Sequence, residues 1–278
     1  MEPDLLRAFV QHYRGHGVRE FLFAFHFTEH APKQRREELV SMCEELVGPP
    51  VLISQGPWHE TVHSELREHL RVRAGEGWHI IADIDEFHDY PAPPEELIAA
   101  AEAVRSPVVG GVMLDRVAAD GSIAGWHPQK GLDASFPLGG FLTYTLLDAN
   151  PCKIVMAHSS VRLALGSHRS PDHDPVNDPL VPVNHFKWRD GIQADLARRV
   201  SEHGSGAWRE NSPAIRTEAA TLLAHIEERG GRVDIADPRL KFRPAHLGTL
   251  PENWREDSKA IADDIRQFFE NSPLPEVY

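Results

Sequence analysis

Leu5, Leu6, Phe9, Val10 and Tyr13 recur at helical spacing behind Asp4, which can cap the helix, and Gly15 and Gly17 end the pattern. Residues 19–27 then read as a buried strand rich in Phe. A second helix is predicted over 34–46, stopped by Gly48-Pro49-Pro50, followed by a short strand over 51–54 and a third helix over 61–73. The clearest strand is 78–83, where apolar residues run straight into acids. Pro91, Pro93 and Pro94 break the chain before a helix over 95–104 and a strand over 108–114.

Helices alternating with strands predict an α/β fold with a mixed, mostly parallel sheet flanked by helices. In such sheets ligands bind outside the carboxyl ends of the strands, and Asp83, Ile84, Asp85 and Glu86 lie at such an end. Residues 121–184 read as loop-rich, with many Pro, Gly, His and Asp, apart from a strand over 154–157. Gly110-Gly111 and Gly139-Gly140 read as turns. Helices predicted over 191–200, 214–228 and 257–269 make the last third helical. The division that follows is a ligand-binding domain over 1–200 and a helical extension over 201–278 packed on it.

Composition narrows the function. The chain has 278 residues, 41% of them hydrophobic, enough for a real core. Its formal net charge is -13, which repels nucleic-acid phosphates and anionic lipid heads. An anionic substrate then needs a local positive centre, and a divalent cation is the simplest one. Two cysteines, Cys43 and Cys152, make neither a disulfide framework nor a zinc-finger spacing, so a reducing cytoplasm is expected. The apolar stretch near 21–27 is far too short to span a bilayer, and the acidic start is unlike a signal peptide.

Asp83 and Asp85, two apart at a strand end, offer hard oxygen ligands near one point, suited to Mg2+ or Mn2+. There is no Gly-x-x-x-x-Gly-Lys-Ser/Thr loop and no Gly-x-Ser-x-Gly elbow. Acids and histidines together also suit water activation, so a metal-dependent phosphoester hydrolase is a rival, although a dense His-x-His-x-Asp-His motif is missing. A non-catalytic nucleotide-sugar-binding module is the other alternative.

The run Trp78-His79-Ile80-Ile81-Ala82-Asp83-Ile84-Asp85-Glu86-Phe87 resembles the W-x-x-x-x-D-x-D-E-F signature of family-2-like glycosyltransferases, a group also similar to family 92. His12-Tyr13 with Gly17-Val18, Asp115-Arg116 with Asp120-Gly121, and Phe136-Pro137 resemble further segments of that group. So do Lys153-Ile154, Gly166-Ser167-His168 and Asn184-His185-Phe186, and the likeness covers residues 5–200. It implies a GT-A fold, a nucleotide-diphosphate sugar donor (UDP-, GDP- or dTDP-linked), a hydroxyl acceptor and Mn2+ or Mg2+. By that resemblance Asp83 faces the ribose or the metal, Asp85 binds the metal, Glu86 shapes the sugar site and His168 is a third metal ligand. His26 and His30 lie where the base would sit, and His185 is placed to touch phosphate or metal. Arg116, Lys153 or Lys187 would assist the leaving diphosphate, and Asp115 or Asp133 would be the base of an inverting transfer. Residues 172–174 would form a mobile loop over the donor. Relatives carry a strand with a polar motif ahead of the first helix; here the strand over 19–27 would do that work if no such segment precedes it. The C-terminal helices offer a surface for a homodimer.

Overall fold

The computed structural model describes residues 2–271. Helix α1 (Pro3–Gly15) buries Leu5, Leu6, Phe9, Val10 and Tyr13, with Asp4 in its first turn and Glu2 at the cap position. Strands β1 (Ala24–Phe27) and β2 (Leu52–Gln55) pair in parallel across the intervening helix α2 (Lys33–Val47). The strand expected over 19–27 is thus only its second half. Even so, Phe21, Phe23, Phe25 and Phe27 stack in a row, with centroids 6.4, 6.2 and 5.8 Å apart. Alternate residues of an extended segment share a face, and this one seals the core formed with α1 and α2.

The chain continues through α3 (Val62–Ala74), β3 (Trp78–Ile80), β4 (Glu86–His88) and α4 (Pro94–Ala103) to β5 (Val108–Val117), which is buried at every position. Short α5 (Leu132–Ser135), β6 (Leu138–Gly140) and α6 (Leu142–Thr145) lead to β7 (Cys152–His158) and β8 (Val176–His185). Helices α7 (Ile192–Ser205) and α8 (Ala214–Glu228), a two-residue β9 (Arg243–Pro244) and α9 (Trp254–Asn271) complete the described chain.

Seven strands form the central sheet, and it is mostly antiparallel, which corrects the expected mostly parallel sheet. Within it only β5 and β8 run parallel; β7 and β6 pair antiparallel along the opposite edge of β5, β3 flanks β7, and β4 flanks β8. The helix–strand alternation that suggested parallel pairing does yield the β1–β2 unit. Beyond β5 the chain doubles back through loops and short helical turns, and β6 and β7 pair antiparallel with β5.

Two further expectations change. The stretch 121–184 carries β6 and most of β8 besides β7, which contains the strand expected over 154–157. Pro179 and Pro182 disguise β8, whose Pro182 nonetheless pairs with Val112. The glycine pairs read as turns lie inside strands. A Cβ on Gly111 would stand 2.5 Å from the Val181 carbonyl oxygen, and one on Gly140 would stand 2.6 Å from that of Leu240. Close backbone approach, not turning, demands glycine there.

Helix α7 crosses the expected boundary at residue 200. With α8 it packs Ile192, Leu196, Ala219, Leu222 and Ile226 on Trp188, Val117 and Leu142. Helix α9 packs Trp254, Ile261 and Ala262 on Val112, Leu114 and Phe141. The extension expected over 201–278 is described as far as Asn271, and its last seven residues lie outside the described range. No helix among the described residues is long and apolar enough to cross a membrane.

Candidate active site

Between β3 and β4 the chain turns through Asp83–Glu86. The Glu86 amide donates to the Asp83 carbonyl at 2.9 Å, and the Asp83 amide donates back to Glu86 Oε2 at 3.1 Å. This reciprocal pair of bonds fixes the turn, so Asp83 and Asp85 sit at its first and third positions. The Asp85 carbonyl accepts from the Phe186 amide at 2.8 Å, which ties the turn to the end of β8.

The turn opens on a cleft of about 2530 Å³. Asp83, Asp85, Glu86, His26, His168, His185 and Lys187 all line it, together with Arg67, Lys153 and Arg199. Its walls come from α3, β1, residues 161–172 and the faces of α7 and α8. With His30, nine of the candidate residues named from sequence therefore share one cavity. Asp172 of the loop expected to close over the donor borders it as well.

Lys153, only 3% exposed, sits at the centre of the acids. Its Nζ is 2.7 Å from Glu86 Oε1, 3.5 Å from Asp83 Oδ2 and 2.7 Å from the Gly166 carbonyl oxygen. Burial pushes the Glu86 carboxyl up against the pull of this ammonium. Burial also acts upward on Asp83, but Lys153 and Arg67 outweigh it and hold its carboxyl well below the usual range. Its side chain is 43% exposed, so a charged carboxylate faces the cleft. On Asp85, burial is likewise outweighed, by His185 and Arg189.

His168 follows the short 3₁₀ turn Leu165–Ser167. Its Nδ1 lies 2.8 Å from the Cys152 carbonyl oxygen. A carbonyl only accepts, so Nδ1 carries the proton and Nε2 keeps its lone pair. Burial first, then Lys153, lowers its pKa to about 3. Gly166, at φ +69°, lies against this ring, and a Cβ there would come 2.5 Å from Nε2. Only glycine suits both the backbone and the contact.

The base expected at Asp115 is fully buried and does not line the cleft. Its Oδ1 accepts from His185 Nδ1 at 2.9 Å, Trp188 Nε1 at 2.8 Å and Thr143 Oγ1 at 2.8 Å, and its Oδ2 accepts from the Thr143 amide at 2.6 Å. Burial works against the charge, but the His185 bond and the other donors hold the carboxyl below its ordinary value. What reaches the cleft is His185, with Nδ1–H bound to Asp115 and Nε2 left to accept.

Arg116 and Asp133 also stand away from the cleft. Arg116 is completely buried and donates to Asn184 Oδ1 at 2.7 Å, Asp133 Oδ1 at 2.9 Å and the carbonyls of Phe136 and Ala245. Its guanidinium lies 5.0 Å over the Phe186 ring. Asp133 Oδ1 also accepts from the Leu247 amide. This network ties β5 and β8 to the 245–248 segment and holds the Arg116 guanidinium fully buried, away from the cleft. The cationic side chains that do line the cleft include Lys187, whose pKa burial lowers, and Arg199. His26 borders the cleft with Nδ1 3.1 Å from Ser54 Oγ and a buried Nε2 that has no protein partner. His30 is held instead by Glu202, at 3.2 Å, and Glu29.

Thr143 and Trp188, which hold Asp115, and His63 and Arg67, which face Asp83, were not legible from sequence. Nothing in their local pattern differs from an ordinary turn or helix.

Asp83, Asp85 and His168 suit a divalent cation in kind: two ionised carboxylates and a neutral imidazole whose outer nitrogen is anchored on a carbonyl, as metal-bound histidines usually are. Among the described residues, the two groups that bring three ligand atoms within 4.8 Å of one another do not include them, so ligand atoms would have to draw together around an ion. Compared with protein-family models, with curated proteins and with solved structures, the chain matches none, and the cleft itself carries the functional reading.

Proposed function

We propose that the chain is a metal-dependent glycosyltransferase of GT-A-like architecture, moving a sugar from a nucleotide-diphosphate donor to an acceptor hydroxyl with inversion. The observation that supports it is the gathering of Asp83, Asp85, His168 and His185 on one wide cleft whose cations include Lys153 and Lys187. Asp83 and Asp85, with His168, would hold Mn2+ or Mg2+, which supplies positive charge to the leaving diphosphate.

The chain's own residues supply the rest. Lys187 and Arg199 face the cleft as counter-charges for phosphate oxygens. His185 Nε2 takes the acceptor hydroxyl proton as that oxygen bonds to the anomeric carbon. The bond from that carbon to the diphosphate oxygen breaks, and the diphosphate leaves with the electron pair. Asp115 holds the imidazole in the required tautomer and stabilises the imidazolium. This passes the role of base from Asp115 to its histidine partner. The unpartnered His26 Nε2 is a polar atom that a nucleobase would satisfy.

A transfer assay tests the proposal. UDP-, GDP- and dTDP-sugars are incubated with Mn2+ and a panel of hydroxyl acceptors, and release of nucleoside diphosphate is followed. Release that needs metal and is abolished in D85N supports the reading. Cleavage of simple phosphoesters with no sugar-donor turnover would favour the hydrolase instead. Donor binding with no turnover in any arm would leave a binding module.

A further inference from the structure

At the C-terminal end of α1, outside the cleft lining, three side chains meet. His12 and His16 stand four residues apart, so the helix puts them on one face, with ring centroids 4.8 Å apart. Asp89, just past β4, joins them, and one ligand atom from each lies within 4.8 Å of the other two. None of the three lines the cleft.

The hydrogen bonds leave a ligand atom free on each of the three residues. His12 Nε2 is 2.8 Å from the His88 carbonyl oxygen, so it donates there and Nδ1 keeps a lone pair. That anchor is the outer bond by which proteins orient a metal-bound imidazole. Asp89 Oδ2 accepts from Asn184 Nδ2 at 2.8 Å and from the Gly248 amide at 3.0 Å, and neither bond uses Oδ1. His16 touches the Tyr90 ring at 5.1 Å, and among the described residues its nitrogens have no protein hydrogen-bond partner. Burial lowers the pKa of both imidazoles, of His12 to about 4, so both are neutral ligands near pH 7.

The geometry points to a second metal site: His12, His16 and Asp89 bind Zn2+, with water as the fourth ligand at the half-exposed face. Two imidazoles and a carboxylate are a zinc donor set, whereas the hard acids of the cleft suit Mn2+ or Mg2+. Such an ion would pin α1 to the end of β4 and, through Asp89 Oδ2, to the 248 loop. The other close trio, Glu29, His30 and Glu202, includes two exposed members and is occupied by its own ion pairs.

The test uses the whole chain, stripped with chelator and titrated with Zn2+ by calorimetry. The D85N variant serves as background, so that the cleft site does not contribute. One zinc per chain and a raised melting temperature are expected. Adding H16A, at a half-exposed position with no hydrogen bond to lose, should weaken binding by about 100-fold or more, at least the cost of losing an outer partner. Co2+ in place of zinc should give the visible absorption of a tetrahedral site in D85N and lose it in D85N/H16A. Zinc affinity unchanged by H16A and H16Q, or no zinc bound at all, would overturn the proposal. Neither result bears on the cleft, whose metal is read separately with Mn2+ and donor.

Discussion

His185 and Asp115 are joined by a 2.9 Å bond from ring Nδ1 to carboxylate Oδ1, in a pocket where Asp115 is fully buried and His185 reaches the cleft. The carboxylate fixes which nitrogen is protonated, and the imidazole delivers the basic one to solvent. Replacing His185 by Gln should therefore lower transfer turnover by about 10²- to 10⁴-fold, the usual share of a general base, with donor affinity nearly unchanged. Comparing kcat with donor Kd checks this. An equal loss in both would place His185 in donor binding instead.

Asp115 itself should matter to folding. In D115A the His185, Trp188 and Thr143 donors lose their acceptor inside the protein. A loss of about 3 to 5 kcal/mol in denaturant unfolding is expected, as for other broken buried charge networks.

Lys153 and Glu86 form a buried pair at 2.7 Å, so removing one partner strands the other. K153M should cost about 3 to 5 kcal/mol, and K153M/E86Q should recover a large part of that loss. A double-mutant cycle by urea unfolding measures the coupling. Additive losses would mean that the pair contributes nothing to stability.

Stability should fall on acidification from about pH 6.5. His168 and His12 have folded pKa values lowered to about 3 and about 4, below their unfolded values. Groups lowered in this way contribute stability above the unfolded pKa and lose it as pH drops toward the folded one. Each adds a slope of at most about 1.4 kcal/mol per pH unit in that window. Unfolding free energies at pH 7 and 5 check this, and H168Q should flatten the profile.

Local periodicity made most helices and the acid-bearing turn legible, because α1, α2, α3 and α8 bury stripes at helical spacing. Strand direction was not legible. It depends on which segments meet across the chain, and the prolines of β8 hid one central strand. The site was legible where chemistry clusters in sequence, at residues 83–86. The Asp115–His185 pairing joins residues 70 apart through the parallel register of β5 and β8, which no local pattern records. Asp115-Arg116 illustrates the limit, since adjacent residues on a buried strand point to opposite faces and serve different networks.

If Asp83 and Asp85 hold a cation that in turn holds an activated sugar, donor binding depends on both. Thermal unfolding of wild type, D83N and D85N with UDP-, GDP- or dTDP-sugars, each with and without Mn2+, reads that dependence. One donor should stabilise wild type only when metal is present, by about 2.7 kcal/mol at a hundredfold excess over Kd, and should fail to stabilise D85N. A donor that binds equally well without metal, or equally well to D85N, would contradict the account.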